Sequence, residues 1–532
     1  MRVGGIAVSG GVAAGRLYLA DVRLATGATA SQLQAAFAAV AADRGALAEQ
    51  LRATGRSEEA DIVGVAALMA ADPLLIDPAV AAVAGGVDAA TAVINAAEAQ
   101  ASILAGLANA DLAARAGDVR QVAQAVLEQL AGGRPAPPAG DFILIRREVA
   151  AADLIELAER GLTGAVSVAG GASSHAAIIA RGLGLPMLAG ADEAVLGLAA
   201  DRPALLDAGS GELILDPTAD QLARTRTSAR VIISDGPAIT VDGQLVTVLC
   251  NVASAAEVRL GMAAGAAGVG LLRTEIPFTA ATSWPTRDQH ADQLEPILGL
   301  LAGRPATVRL LDFSGDKVPP FLSGPVGLPE LISHPRALTD QLAAVLRAGR
   351  DTDLAILIPM VTSLTEVATV RGQLERAAAE ADVGQPKFGI MVEVAATAAN
   401  ACAFAPAVDF FSIGTNDLTG QVLGLSRLDP AAGPALAAEP RVLALIAQVI
   451  DAAAEAGISV SVCGDSAASR LVLPLLIGLG IRVVSVPAAA VGRVRAELNR
   501  LDAGTCEAVA AKALASSSAR DSWELVQRAG LG

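Results

Sequence analysis

Histidine and cysteine are so scarce in this sequence, three and four among 532 residues, that each one is conspicuous. The cysteines, Cys250, Cys402, Cys463 and Cys506, stand far apart without CxxC spacing, which excludes a zinc ribbon or a disulfide framework as the organising device. Aromatic residues make up only 2% and charged residues 18%, whereas hydrophobic residues, chiefly Ala, Val and Leu, reach 53%. Such small side chains suit packed helices and parallel strands. Basic residues are outnumbered, 39 against 55 acidic, for a formal net charge of −16. A nucleic-acid backbone would be repelled by that charge, while a basic partner protein or a metal-bound small anion would not. Long uncharged runs are also missing: only Gly161 to Ala180 reaches membrane-spanning length, and its four glycines, three serines and His175 rule out a transmembrane helix. The opening "MRVGGIAVSGGVAAG" is too rich in glycine for a signal-peptide core, so a reduced, cytoplasmic enzyme is expected.

What is present is a change of period along the chain. "GGIAVSGGVAAGRLYLA" predicts a strand, a glycine turn and a second strand. From about Thr29 to Ala131 the pattern turns helical, with breaks at "ADPLLIDP" and "AGGV". Residues 28–131 carry twelve acidic and five basic side chains, a net −7, and read as a helical insert whose surface is either simply solvated or docks a basic partner. After the linker "GGRPAPPAG", strands and helices alternate through "FILIRREV", "GAVSVAGG", "LPMLAG" and "GELILDP". Residues 1–27 and 132–223 are therefore expected to form one α/β domain. From residue 235 to 532 eight strand-like runs follow, "QLVTVLCNV", "GVGLLRTE", "ATVRLLDF", "AILIPMV", "FGIMVEV", "FFSIGTNDL", "ISVSVCGD" and "RVVSVP", separated by helical sequence. Eight such units predict a (β/α)8 barrel rather than an open doubly wound sheet.

Two clusters carry chemistry. In "GGASSHAAIIAR" His175 follows two glycines and two serines at the start of a predicted helix, where unpaired N–H groups favour an anion. It is either a phosphoryl-accepting nucleophile or a helix-capping residue. The second cluster lies where barrel strands end, the face on which barrel enzymes place their active sites. Asn251, Arg273, Glu275, Arg309, Asp312, Lys317, Glu393, Asn416, Asp417, Cys463 and Asp465 all fall there. Glu393 and Asp417 are hard oxygen ligands suited to one Mg²⁺. Arg273 and Arg309 offer planar forks for carboxylate or phosphate, Asn416 a further donor and Lys317 a point charge. Cys463 is either a proton donor or a buried small apolar residue. A substrate with both a phosphate and a carboxylate, such as phosphoenolpyruvate, would use both clusters, His175 attacking phosphorus and Cys463 protonating carbon.

These residues resemble Enzyme I of the bacterial phosphotransferase system, the phosphoenolpyruvate-protein phosphotransferases. The likeness runs nearly end to end through "GIAVSGGVAAGR", "GDVR", "GGASSHAAIIAR", "GAAGVGLLRTEIPF", "VRLLDFSGDK", "GIMVEV", "DFFSIGTNDLTG" and "VCGD". It implies a phosphohistidine domain with a helical insert, followed by a TIM-like barrel. It implies that His175 is phosphorylated, that Arg273, Arg309, Asn416, Asp417 and Arg427 contact phosphoenolpyruvate, that Glu393 and Asp417 hold Mg²⁺ and that Cys463 donates the proton. It also implies docking of the small carrier HPr on the insert and a homodimer formed through the barrel. The chain departs from the family at Ala172 (usually Arg), Gly420 and Gln421 (usually Gln and Tyr), Ser426 (usually Asp) and Ala66 (usually His). The segment "SGPVGLPELISHPRAL" replaces the family's arginine-rich pattern, so an arginine expected near the phosphate is missing unless Arg336 substitutes. Phosphoenolpyruvate synthase and pyruvate phosphate dikinase share the two modules but need an ATP-binding domain for which this chain has no room. A regulatory protein that binds phosphoenolpyruvate without passing phosphate on is the alternative from another class.

Overall fold

The computed structural model describes residues 2–9, 11–20, 27–53, 57–105, 110–158, 160–170, 175–208, 211–218, 221–222, 238–279, 281–314, 317–322, 326–425 and 433–532. The chain forms two compact units, Met1–Arg230 and Val231–Gly532. The expected domain limits at 223 and 235 fall on residues outside those described.

The first unit is built on strands β1 (Arg2–Gly4), β2 (Ile6–Ser9), β3 (Val12–Leu19), β4 (Phe142–Arg146), β5 (Leu162–Ser167), β6 (Met187–Ala189), β7 (Pro203–Asp207) and β8 (Glu212–Leu215), in the order β1-β8-β7-β3-β4-β5-β6-β2. The run from β3 to β6 is parallel and the remaining pairings are antiparallel. Strand β7, "PALLD", has no counterpart among the sequence expectations. It opens on Pro203, a residue that argues against a strand unless, as here, it occupies the first position, where its missing N–H is tolerated.

Between β3 and β4 the chain leaves the sheet for five helices, α1 (Ala30–Ala53), α2 (Ser57–Ala70), α3 (Pro73–Ala84), α4 (Ala89–Ala105) and α5 (Ala110–Leu130). They bury their own core, including Leu33, Phe37, Val93 and Val126. The expected break at "ADPLLIDP" is much narrower than the motif: the Asp72 carboxylate accepts from the Leu74 N–H as N-cap, Pro73 opens α3, and Pro78 lies inside that helix. The stretch Glu59–Ala84 is long and apolar enough to cross a membrane, but this corner splits it between α2 and α3.

Buried charge joins the insert to the sheet. Arg146, at the end of β4, pairs with Glu128 of α5 and at 2.5 Å with Asp153 of α6 (Ala151–Ala158). Arg134 of the linker reaches Asp153 at 2.6 Å and Glu156 at 2.5 Å, and Arg44 of α1 also pairs with Glu156. Burial raises the Asp153 carboxyl, yet Arg146 and Arg134 overcome it and hold the group below the usual carboxylate range.

The second unit is a closed barrel. Its strands are β10 (Leu245–Val252), β11 (Val269–Leu272), β12 (Pro305–Arg309), β13 (Asp353–Ile358), β14 (Lys387–Val392), β15 (Phe410–Ile413), β16 (Ser459–Val462) and β17 (Val483–Pro487), with β9 (Ala238–Ile239) antiparallel to β10 at one edge. All eight expected runs supply barrel strands. Closure is direct: β10 pairs in parallel with both β11 and β17. Side chains alternate between the helical jacket, where Val248, Val308, Ile356 and Phe411 pack, and the barrel interior, where Leu271, Leu357, Met391, Phe410 and Cys463 meet.

Candidate active site

The strand ends of the second unit enclose a cavity of about 220 Å³ lined by Arg273, Arg309, Lys317, Asn416, Asp417, Cys463 and Asp465, among others. They come from the ends of four strands, β11, β12, β15 and β16, and the loops behind them, where each apolar strand gives way to polar sequence. Arg273 follows β11, its N–H donating to the Val252 carbonyl at 2.9 Å. Arg309 closes β12 and is buried, paired with Glu275 and, at 3.3 Å, with Asp312. Burial opposes the Arg309 charge, but Glu275 and Asp312 outweigh it and the guanidinium pKa rises. Lys317 pairs with Asp312. Burial raises Asp312 while Arg309 and Lys317 bring it below the ordinary range.

Glu393, immediately after β14, is wholly buried within electrostatic reach of Arg309, Asp312 and Asp417. Its Oε1 accepts the Met360 N–H at 2.8 Å, whereas its Oε2 is buried without a hydrogen-bond partner. Gly414 passes over it so closely that a Cβ there would stand 2.9 Å from that orphan oxygen. Burial pushes the carboxyl up to about 8, Arg309 pulling the other way and Asp312 and Asp417 adding to the rise. Asp417 is in the first turn of the helix Thr415–Leu423 that follows β15. An orphan buried carboxylate oxygen with a second carboxylate beside it is a donor set for a cation. Among the described residues no group of three or more His, Cys, Asp or Glu adopts a metal-holding arrangement, so a cation here would fill its other positions with water or substrate oxygens.

Cys463 ends the seventh strand unit with its thiol in the same cavity and 1% of its surface exposed. Its Sγ lies 3.6 Å from the Ile413 carbonyl, and burial pushes the thiol up to about 12, so it stays protonated across the neutral range. Asn251 does not reach the cavity; its amide donates to the Cys463 carbonyl at 2.9 Å and accepts from Ser485 at 2.6 Å, fixing the backbone behind the thiol.

In the first unit His175 is the first residue of α7 (His175–Leu183), as the sequence predicts. Its Nδ1 lies 3.1 Å from Oδ1 of Asp118 on α5, a carboxylate also paired with Arg115 at 3.1 Å. A carboxylate accepts, so in a neutral imidazole this contact favours the tautomer with the proton on Nδ1 and the lone pair on Nε2. Ala172 and the two serines before His175, Ser173 and Ser174, lie outside the described residues, as does Arg427 among the expected substrate contacts.

Arg336 does not join the cavity with Arg273 and Arg309. Its side chain is 96% exposed, 3.8 Å from Asp340, beside Trp284 and His334 on another surface cleft, because Pro335 starts a helix there and turns the following residue outward. Two residues that matter were given no role by the sequence: Asp118, quoted only as part of "GDVR", and Asp465, whose carboxylate accepts from the Asn416 amide at 2.8 Å. Their signals were faint, since a carboxylate beside a glycine is also an ordinary loop feature.

Three family models match the chain in order: "PEP-utilising enzyme, N-terminal" over residues 4–115, "PEP-utilising enzyme, mobile domain" over 138–211 and "PEP-utilising enzyme, PEP-binding domain" over 228–503. The chain is 34% identical over 444 residues to the multiphosphoryl transfer protein of Rhodobacter capsulatus, covering 79% of this chain and 54% of that protein. It is 33% identical over 439 residues to a protein of Escherichia coli (strain K12) named phosphoenolpyruvate-dependent phosphotransferase system, covering 77% and 58%. With the phosphoenolpyruvate-protein phosphotransferase of Streptomyces coelicolor it shares 33% identity over 509 residues, 90% of this chain and 89% of that one. The chain thus spans little more than half the length of the first two relatives and most of the third.

Proposed function

The chain belongs to the PEP-utilising enzymes, and from that membership we propose that it is a phosphoenolpyruvate-protein phosphotransferase, the first step of a sugar phosphotransferase system. The observation that carries the reading is a buried, protonated thiol, Cys463, in one cavity with the cations Arg273, Arg309 and Lys317. In the reaction the bond between phosphorus and the enol oxygen breaks, a bond from phosphorus to Nε2 of His175 forms, and the electron pair stays on enolpyruvate. The Cys463 proton then adds to the methylene carbon, giving pyruvate, and the thiolate regains a proton from water. Arg273, Arg309, Asn416 and Arg427 are assigned to the substrate's phosphate and carboxylate.

Three cations in this region face five carboxyl groups, Glu275, Asp312, Glu393, Asp417 and Asp465, which alone would not attract a multiply charged anion. Glu393 and Asp417 are accordingly assigned to Mg²⁺, whose chemistry here is to neutralise substrate oxygens. The second unit is the substrate barrel and the sheet of the first unit the phosphohistidine domain. The insert is assigned to docking a small HPr-like carrier whose histidine takes the phosphoryl group. In the acidic stretch Glu58–Asp61 of that insert, Glu59 is buried, Asp61 is exposed and pairs with Arg52 at 3.3 Å, and Glu58's side chain is outside those described. Near the α2–α3 corner Leu68 and Leu74, each 73% exposed, stand on the same surface as the exposed Asp77, so a docking contact there would combine apolar area with negative charge. A cytoplasmic location and a barrel-mediated homodimer complete the reading.

The test is incubation with Mg²⁺ and phosphoenolpyruvate labelled at phosphorus, with and without a carrier protein. Acid-labile label on His175, passed to the carrier with release of pyruvate, is the expected result. Absence of label would overturn it. The placement of Arg336 outside the cavity favours one alternative, a regulatory binder, which the same experiment would reveal as binding without pyruvate.

A further inference from the structure

The loops after β15 and β16 are joined side chain to side chain. Thr415 and Ser466 share a hydroxyl hydrogen bond of 2.6 Å. Next to it, Asn416 and Asp465 are bonded reciprocally: the Asn416 amide nitrogen donates to Asp465 Oδ2 at 2.8 Å, and the Asp465 backbone N–H donates to Asn416 Oδ1 at 3.1 Å. The approach depends on Gly464, since a Cβ at that position would stand 1.8 Å from the Thr415 hydroxyl. With its oxygen committed to a backbone donor and one amide hydrogen committed to a carboxylate, Asn416 cannot turn over. Its second amide hydrogen remains, on a side chain that lines the same cavity as Arg273, Arg309 and Cys463.

We propose that Asp465 is a positioning residue that locks the Asn416 amide so that the substrate's anionic oxygens meet an N–H donor and never the amide oxygen. The inference rests on the phosphotransferase reading and adds a residue to its binding machinery. An acceptor oxygen at 465, rather than its negative charge, is what the geometry requires, because an amide oxygen could receive the same hydrogen bond.

The experiment is a double-mutant cycle on the full chain with Mg²⁺, reading phosphoenolpyruvate affinity by calorimetry and pyruvate formation at saturating substrate. Asp465→Ala should weaken binding about tenfold or more. Its maximal rate should change less than its KM, as the thiol is untouched. Asp465→Asn should restore affinity to within about threefold of the unaltered protein, and adding Asp465→Ala to Asn416→Ala should cost nothing further. Additive losses, or an Asp465→Asn protein as weak as Asp465→Ala, would overturn the inference while leaving the phosphotransferase reading intact. An unaltered protein that binds no phosphoenolpyruvate would overturn both.

Discussion

Replacing Asp118 by Asn tests how His175 is made nucleophilic. The change keeps the side chain's size but allows an N–H where the carboxylate oxygen accepts from Nδ1, 3.1 Å away. A donor facing Nδ1 favours the tautomer with the proton on Nε2, the nitrogen that must attack phosphorus. The Asp118 bond is charge-assisted, and such bonds contribute about 1.5–3 kcal/mol, or about ten- to a hundredfold in the population of the reactive tautomer. Rapid-quench measurement of phosphohistidine formation should therefore show a fall of that order at saturating phosphoenolpyruvate. Binding of the compound by the second unit should be unchanged, because Asp118 and His175 both belong to the first. Asp118→Ala, which removes the acceptor without adding a donor, should lose less than Asp118→Asn. If Asp118→Asn formed phosphohistidine at the unaltered rate with normal circular dichroism, the pairing would have no part in reactivity and His175 would owe its role to position alone.

Glu393→Gln keeps the hydrogen bond from Met360 but removes the charge proposed to hold Mg²⁺, so turnover should fall at least about a hundredfold with thermal stability preserved; normal turnover would end the metal assignment. Cys463→Ala should slow pyruvate release far more than it weakens phosphoenolpyruvate binding, and equal losses would point to packing. His290 is buried against Phe278 with neither ring nitrogen hydrogen-bonded, and burial lowers it from 6.5 to about 4. The unfolded chain therefore takes up the proton first, so its contribution to stability is present above about pH 6.5 and falls as pH drops toward 4, by about 2 kcal/mol at pH 5. Urea unfolding at pH 7 and pH 5 should show that loss in the unaltered protein and a smaller one in His290→Phe; equal losses would exclude His290 as its source.

The barrel was legible because its strands are short apolar runs ending in polar residues, and that boundary is both a structural and a chemical signal. Val269–Leu272 stops one residue before Arg273 and Phe410–Ile413 three before Asn416, so strand ends and cavity residues were found together. Period alone did not find β7, where Pro203 and two adjacent leucines hide the alternation of a strand inside the sheet. Side-chain direction was also beyond reach. Arg336 could be counted as a cation near the right loop, but the helix beginning at Pro335 carries it to another cleft.

Pairing between distant positions is the larger reason that the site was only partly readable. Asp118 lies 57 residues from His175, and Asp465 lies 49 from Asn416; in each case sequence supplies one polar residue on a loop or helix and says nothing about the other's arrival. The same limit distorts a count of charges. Arg309 and Lys317 look like two free cations for an anion, yet Glu275 and Asp312 already hold them, and those carboxylates are themselves buried. A buried cation so neutralised attracts substrate less by charge than by presenting fixed N–H groups, and such groups act well only if neighbours keep them from turning. That is why a carboxylate without any catalytic duty, such as Asp465 behind Asn416, can matter to binding as much as one more arginine would.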